Sequence, residues 1–115
     1  MENVTIRIVN TIGDVFGVEA EDGQKVFELI NKAFQEKKKV MLSFKNIEML
    51  TTAFLNTAVG QLYKDYSEEF IKENLQVSDI SESGKISLKR VVDTAKLFYK
   101  DPEALRRSID EILDD

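Results

Sequence analysis

Hydrophobic and polar residues alternate along short parts of the chain, which is the pattern of β-strands. Residues 4–9 alternate in this way and are rich in β-branched types, so they predict a half-buried first strand. Residues 40–44 are almost wholly apolar, as in the central strand of a sheet covered on both faces. Residues 75–80 predict a third strand with one solvated face. Residues 10–20 carry two glycines and predict a loop, or a loop with a short extra strand over 16–20.

Helical spacing of about 3.6 residues fills the intervals between these strands. Asp22 is the expected N-cap of a first amphipathic helix, whose apolar face runs from Val26 to Phe34. The same spacing predicts a second helix over residues 54–66. Gly60 falls inside that helix, where glycine costs about 1 kcal/mol relative to alanine, so we expect another backbone or a partner to approach it closely.

The C-terminal part of the chain predicts two more helices. Residues 81–84 form a turn, and residues 88–99 then have a helical apolar face. An acidic cap and a first-turn proline at residues 101–103 predict a fourth helix, with an apolar stripe at Leu105, Ile109, Ile112 and Leu113. This order of elements predicts an α/β fold: a mixed or largely parallel sheet of about four strands, covered by helices and followed by a C-terminal helical hairpin.

Composition and charge narrow the class of protein. A chain of 115 residues suits one domain over residues 1–115, and 43% hydrophobic content is enough for a core. No cysteine, no basic and apolar leader and no apolar run near the ~20 residues of a membrane span are present, which predicts a cytoplasmic protein without disulfides. The net charge of −5 opposes direct binding to nucleic acid.

The residue types also predict that the protein is not an enzyme. Histidine and cysteine are absent, which removes the commonest general base and the thiol nucleophile. Glu19, Glu21 and Asp22 do not have the spacing of a metal-binding loop, and no glycine-rich phosphate-binding motif occurs. We therefore expect no catalytic residue, no metal site and no cofactor.

Residues 42–63, with the sequence LSFKNIEMLTTAFLNTAVGQLY, resemble the strand, loop and helix that define STAS domains, named for sulfate transporters and anti-sigma-factor antagonists. In the antagonists the loop ends in Asp-Ser-Ser-Gly-Leu, and a partner kinase phosphorylates the first serine. Residues 51–55 occupy these places, so the resemblance implies that Thr52 holds the phosphoacceptor position. Thr51 replaces the aspartate, and Phe54 replaces the glycine. The chain is most similar to short STAS-like domains of unassigned function.

The resemblance implies a regulatory module that docks a protein partner, such as an ATP-binding regulator of the anti-sigma or histidine-kinase-like class. The expected contact residues lie around the loop and helix start: Asn46, Thr51, Thr52, Phe54 and Asn56. Either threonine could instead cap the helix, and Phe54 could pack in the core or form an exposed anchor for the partner.

Two other functional classes stay open at the level of sequence. A small-molecule or nucleotide sensor would have a pocket beside Asn46, Thr51 and Thr52. A structural subunit would form homo-oligomers through the apolar stripe of residues 105–113, which could equally pack within one molecule.

Overall fold

The computed structural model describes residues 2–100, with Lys100 described through its backbone alone. The strands in chain order are β1 Asn3–Arg7, β2 Phe16–Gly17, β3 Lys39–Ser43, β4 Met49–Leu50 and β5 Leu75–Ser78. The α-helices are α1 Ile8–Ile12, α2 Ala20–Gln35, α3 Thr52–Leu55, α4 Leu62–Asp65, α5 Glu68–Asn74 and α6 Glu82–Lys100. A π-helical turn over Asn56–Gly60 joins α3 to α4.

The main sheet contains three parallel strands in the order β1-β3-β5, so the predicted central position of residues 40–44 is confirmed. A second sheet pairs β2 with β4, also in parallel. The prediction of about four strands in one sheet is therefore corrected: five strands divide between two sheets. The coarser prediction, an α/β fold with parallel strands covered by helices, is confirmed.

Helices cover one face of the main sheet. The register places Val4 beside Val40 and Ile6 beside Leu42, and the side chains of Ile6, Val40 and Leu42 are buried in the core. The strand order β1-β3-β5 advances in one direction across the sheet. Right-handed connections between these strands therefore place the helices on this same face. The alternate residues Thr5, Met41 and Gln76 belong to the other face, where Thr5 and Gln76 are exposed. Among the described residues, the expected covering of both faces of β3 is therefore seen on the helix face alone.

The first strand is shorter than the alternating pattern predicts, because the backbone turns into α1 at Ile8. Ile8 is fully buried at this bend, and the hydroxyl of Thr11 donates to the Arg7 carbonyl at 3.1 Å. Gly13 ends the helix with φ of 69°, a left-handed conformation that suits glycine. The short extra strand predicted near residues 16–20 exists as β2 and begins at Phe16.

Helix α2 begins before the predicted cap. Glu19 has the extended backbone of the N-cap, and Asp22 lies within the first turn, where its carboxylate pairs with Lys25 at 3.4 Å. The buried face of α2 includes Val26, Ile30 and Phe34, in agreement with the predicted apolar stripe.

The helical stretch from Thr52 to Asp65 is not one regular α-helix. Its middle turn is π-helical, with the Gln61 N–H donating to the Asn56 carbonyl at 3.0 Å. A β-carbon at Gly60 would lie 3.3 Å from Cγ1 of Val91 in α6. A neighbouring element, α6, does lie close to Gly60, but it approaches through side chains and not through the backbone that was predicted.

Helix α6 begins earlier than predicted and includes most of the expected turn. The Ser81 hydroxyl accepts from the Gly84 N–H at 3.1 Å and so caps the first turn at Glu82. The predicted fourth helix, the helical hairpin and the apolar stripe of residues 105–113 lie outside the described residues. No helix within residues 2–100 has both the length and the apolar content needed to cross a bilayer.

Candidate docking site

The small β2–β4 sheet holds the loop that precedes α3. Phe16 pairs with Met49 and Gly17 with Leu50, while the Glu48 N–H donates to the Val15 carbonyl at 2.7 Å. These backbone hydrogen bonds attach the loop to residues 15–17, which precede α2 and β3 in the sequence. This attachment fixes the position of the helix start.

Thr51 is the N-cap of α3. Its Oγ1 accepts from the Phe54 N–H at 3.2 Å and donates to the Val18 carbonyl at 2.7 Å. Its backbone N–H also donates to the Gly17 carbonyl at 3.0 Å. Of the two threonines that could cap the helix, Thr51 does so, and its hydroxyl connects the helix start to the β2 segment.

Thr52 is the first residue of α3, and its side chain is exposed. Within residues 2–100 its hydroxyl makes no hydrogen bond. Ala53 beside it is also exposed, and Asn56 lies one turn further along on the same side of the helix as Thr52. Thr52, Ala53 and Asn56 thus form an accessible surface at the helix start.

Phe54 is fully buried and lies in the hydrophobic core. Two glycines allow this placement: a β-carbon at Gly17 would lie 3.2 Å from the Phe54 ring, and one at Gly23 would lie 2.5 Å from the Phe54 carbonyl oxygen. We therefore correct the predicted role of Phe54 as an exposed anchor. In this fold its ring packs in the core beneath the surface of the loop.

Asn46 lies in the tight turn between β3 and β4. Its φ is 67°, and the Ile47 N–H donates to the Phe44 carbonyl at 3.1 Å to close the turn. Asparagine tolerates this left-handed conformation better than most residues, which gives Asn46 a local structural role. Its side chain is exposed, so it is also accessible for contact.

Phe16 and Met49 form an exposed apolar pair that the sequence pattern does not reveal. They lie opposite each other in the β2–β4 register, with 45% and 54% of their surface accessible. Met49 precedes Thr52 by three residues, with Leu50 and Thr51 extended between them, so the pair lies next to the exposed helix start along the chain. Phe16 lies in a glycine-containing loop where no periodicity marks it, and its pairing with Met49 is non-local.

A family model described as a STAS-like domain of unknown function matches residues 22–85, more than half of the chain. The chain belongs to this family. The match extends from the first turn of α2 into α6 and includes the whole loop around Thr52. Comparison with curated proteins and with solved structures gives no significant match. The STAS-like assignment made from residues 42–63 is confirmed.

In this STAS-like domain, a cavity of about 190 Å³ lies between β4 and the first turns of α6. Its lining includes Glu48, Met49 and Ser83, but Asn46, Thr51 and Thr52 do not line it. This cavity is therefore not the pocket that a small-molecule sensor was expected to have beside those three residues. Within residues 2–100, no three acidic side chains come together as a metal site would require.

An ion pair joins α5 to α6 at the far end of the helical stretch. Lys96 Nζ lies 2.9 Å from Glu68 Oε1, and this hydrogen bond raises the pKa of the lysine. Burial raises the pKa of the nearby Tyr63 phenol, with Glu68 and Asp93 adding to the rise and Lys96 opposing it. These groups favour their protonated forms in the fold and lie away from the helix start.

Proposed function

We propose that this STAS-like domain is a non-catalytic regulatory module that docks a protein partner at the start of α3. The proposed docking surface consists of Phe16, Asn46, Met49, Thr52 and Asn56. Thr51 and Phe54, which were also predicted to be contact residues, support this surface from within the fold.

The observation that carries the proposal is the exposed pair Phe16 and Met49. Large apolar side chains that are covered on binding provide much of the affinity of protein interfaces, and polar residues commonly surround them. Here the polar residues are Asn46 and Thr52, and both are exposed. A partner that covers this pair would therefore also cover the Thr52 hydroxyl.

Thr52 is the proposed switch of the docking surface. A phosphate there would add nearly two negative charges to an exposed helix start and would displace no hydrogen bond of the hydroxyl. Negative charge is favourable at a helix N-terminus, so the modified domain would stay folded. The modification would instead change the charge that a docked partner meets.

An ATP-binding regulator of the anti-sigma or histidine-kinase-like class is the proposed partner, by resemblance to the anti-sigma-factor antagonists. Its nucleotide would supply the phosphate for Thr52. The proposal that the STAS-like domain itself catalyses no reaction is supported by the lack of histidine and cysteine in its sequence.

The test uses affinity capture with three forms of the full chain: the parent, Phe16→Glu and Leu97→Glu. Leu97 lies on α6 with 71% of its surface exposed, so it is a matched control for a charge placed on exposed apolar surface. We expect Phe16→Glu to lose a bound protein that both the parent and Leu97→Glu retain. Calorimetry with that purified protein should then show at least a tenfold loss of affinity, which corresponds to about 1.4 kcal/mol.

Incubation of the captured protein with ATP and the STAS-like domain tests the switch separately. We expect one phosphate at Thr52 and none on Thr52→Val. Equal binding by Phe16→Glu and the parent would contradict docking at this surface. Phosphate at another residue would contradict the switch and leave the docking proposal standing.

A further inference from the structure

The three-stranded sheet ends at β1, which pairs with β3 on one side. On the other side of β1, the part of the chain that the structure describes provides no pairing strand. Natural sheets commonly protect such an edge with proline, lysine or a bulge. The edge strand Asn3–Arg7 contains neither proline nor lysine, and its one charged side chain is Arg7 at the end of the strand.

The hydrogen bonds of β1 define which groups face this open edge. The Lys39 N–H donates to the Glu2 carbonyl at 3.0 Å, so the backbone groups of Glu2 face β3. The N–H and C=O of successive strand residues point in opposite directions, so those of Asn3, Thr5 and Arg7 face outward. Arg7 is also the N-cap of α1, so its carbonyl accepts the first hydrogen bond of that helix and a second one from the Thr11 hydroxyl at 3.1 Å. At Arg7 only the N–H is therefore open to an added strand.

A groove of about 620 Å³ lies between this edge and α2. Leu29 of α2 lines the groove and is 43% exposed, and the half-buried Val4 lines it from the strand. An apolar wall beside unpaired backbone groups is the arrangement that accepts an added β-strand.

The charges at the groove are mixed in sign. Lys38 lies 3.4 Å from the Glu36 carboxylate and 3.7 Å from that of Glu2, so its charge is already partnered. Arg7 and Lys32 are exposed beside it. A groove of this kind is not selective for an acidic peptide, whereas a surface that carries both signs can complement itself.

We propose that this groove binds a second copy of the chain, with the two β1 strands paired antiparallel about Thr5. The two three-stranded sheets would then form one continuous sheet across a two-fold axis. This inference is independent of the proposed function, because the docking surface at the start of α3 takes no part in it.

The register centred on Thr5 provides hydrogen bonds through both backbone groups of Thr5 and from the Arg7 N–H to the Asn3 carbonyl of the second copy. The outward residues are symmetrical about Thr5, so Thr5 lies opposite Thr5 and Asn3 lies opposite Arg7. Threonine pairs are favourable across strands, and no two like charges face each other. On the face of the sheet that the helices cover, Val4 of one copy lies opposite Ile6 of the other. Apolar residues therefore pair across the interface beside the two copies of α2.

The test measures self-association of the full chain by sedimentation over a range of concentrations. The variants are Thr5→Glu and Thr5→Lys, each of which places two like charges opposite each other at the two-fold axis. Gln76→Glu is the matched control, because Gln76 is exposed on the same sheet face but lies on β5. Thermal denaturation of each variant checks that it is folded.

We expect the parent and Gln76→Glu to dimerise alike, and each Thr5 variant to dimerise about fivefold or more weakly. An equimolar mixture of Thr5→Glu and Thr5→Lys should regain the dimer, because opposite charges then meet at the axis. A monomeric parent would overturn the proposal and leave the groove to an extended peptide from another protein. Undiminished dimerisation of the folded Thr5→Glu and Thr5→Lys variants would also overturn it. So would an equimolar mixture of the two that does not dimerise.

Discussion

Gly23 of α2 lies directly against the backbone of Phe54, and a β-carbon at Gly23 would lie 2.5 Å from the Phe54 carbonyl oxygen. That distance is too short for a real contact, so glycine is required for the two helices to approach in this way. The approach holds the start of α3, and hence Thr52, against α2.

Gly23→Ala should destabilise the STAS-like domain by about 1–3 kcal/mol, because either α2 or the backbone at Phe54 must move. In most helices the same substitution raises the free energy of unfolding, since alanine is favoured over glycine by about 1 kcal/mol. At Gly23 we expect the opposite, a decrease. Urea denaturation of the variant and the parent measures the difference in the free energy of unfolding.

Gly60→Ala is the matched control for that measurement. The nearest atom to a β-carbon at Gly60 is a methyl group of Val91 at 3.3 Å, which can move more easily than a backbone oxygen. We expect a smaller loss than at Gly23. A gain in stability for Gly23→Ala would contradict this close approach of α2 and α3.

Thr51→Val should destabilise the fold by about 2 kcal/mol. The valine keeps the shape of the side chain but removes both the cap to Phe54 and the bond to the Val18 carbonyl. Thr51→Ser keeps both bonds and should stay close to the parent. Chemical denaturation compares the two, and equal stability of Thr51→Val and Thr51→Ser would contradict the role of this hydroxyl.

Thr52→Glu should change the free energy of unfolding by less than about 0.5 kcal/mol, because Thr52 is exposed and an acidic residue suits the first helical turn. Under the proposed function it should weaken partner binding at least tenfold. Thr94→Glu places the same charge on an exposed position of α6 and serves as the control in calorimetry. A loss of binding matched by a loss of folding would refute a surface effect at Thr52.

Alkaline pH should destabilise the domain partly through Tyr63 and Lys96. Both groups have a raised pKa in the fold, so their stabilising effect is complete below the unfolded values of 10.0 and 10.5 and is lost as pH rises through the folded values. Tyr63→Phe removes one ionisation and should make the melting temperature fall less steeply above about pH 10. Identical pH profiles for parent and variant would show that Tyr63 makes no such contribution.

Local periodicity was sufficient to predict the elements whose environment repeats along the chain. The buried face of α2 is an example, because each side chain there has the same surroundings as its neighbour one period away. The bend at Ile8 was not predictable in this way. Ile6 and Ile8 continue the alternation of a strand, although the backbone between them turns into a helix.

The candidate site was harder to predict because it depends on contacts between distant parts of the chain. The sequence offers Thr51 and Thr52 equally as caps. In the fold, the Thr51 hydroxyl accepts from the Phe54 N–H, and its bond to the distant Val18 carbonyl holds it in that position. The sequence could not decide whether Phe54 is buried, since that depends on the approach of α2. The exposed pair of Phe16 and Met49 exists because β2 and β4 meet, and neither residue signals this alone.

The two adjacent threonines at the start of α3 differ in what they offer to an enzyme from solution. Thr51 already donates its hydroxyl proton and accepts a second hydrogen bond, whereas the Thr52 hydroxyl is exposed. A modifying enzyme could reach Thr51 only after the loop separates from β2, and would meet Thr52 in the intact fold. The enzyme would then choose Thr52 over Thr51 because the substrate is folded. An unfolded peptide of the same sequence would lose this preference.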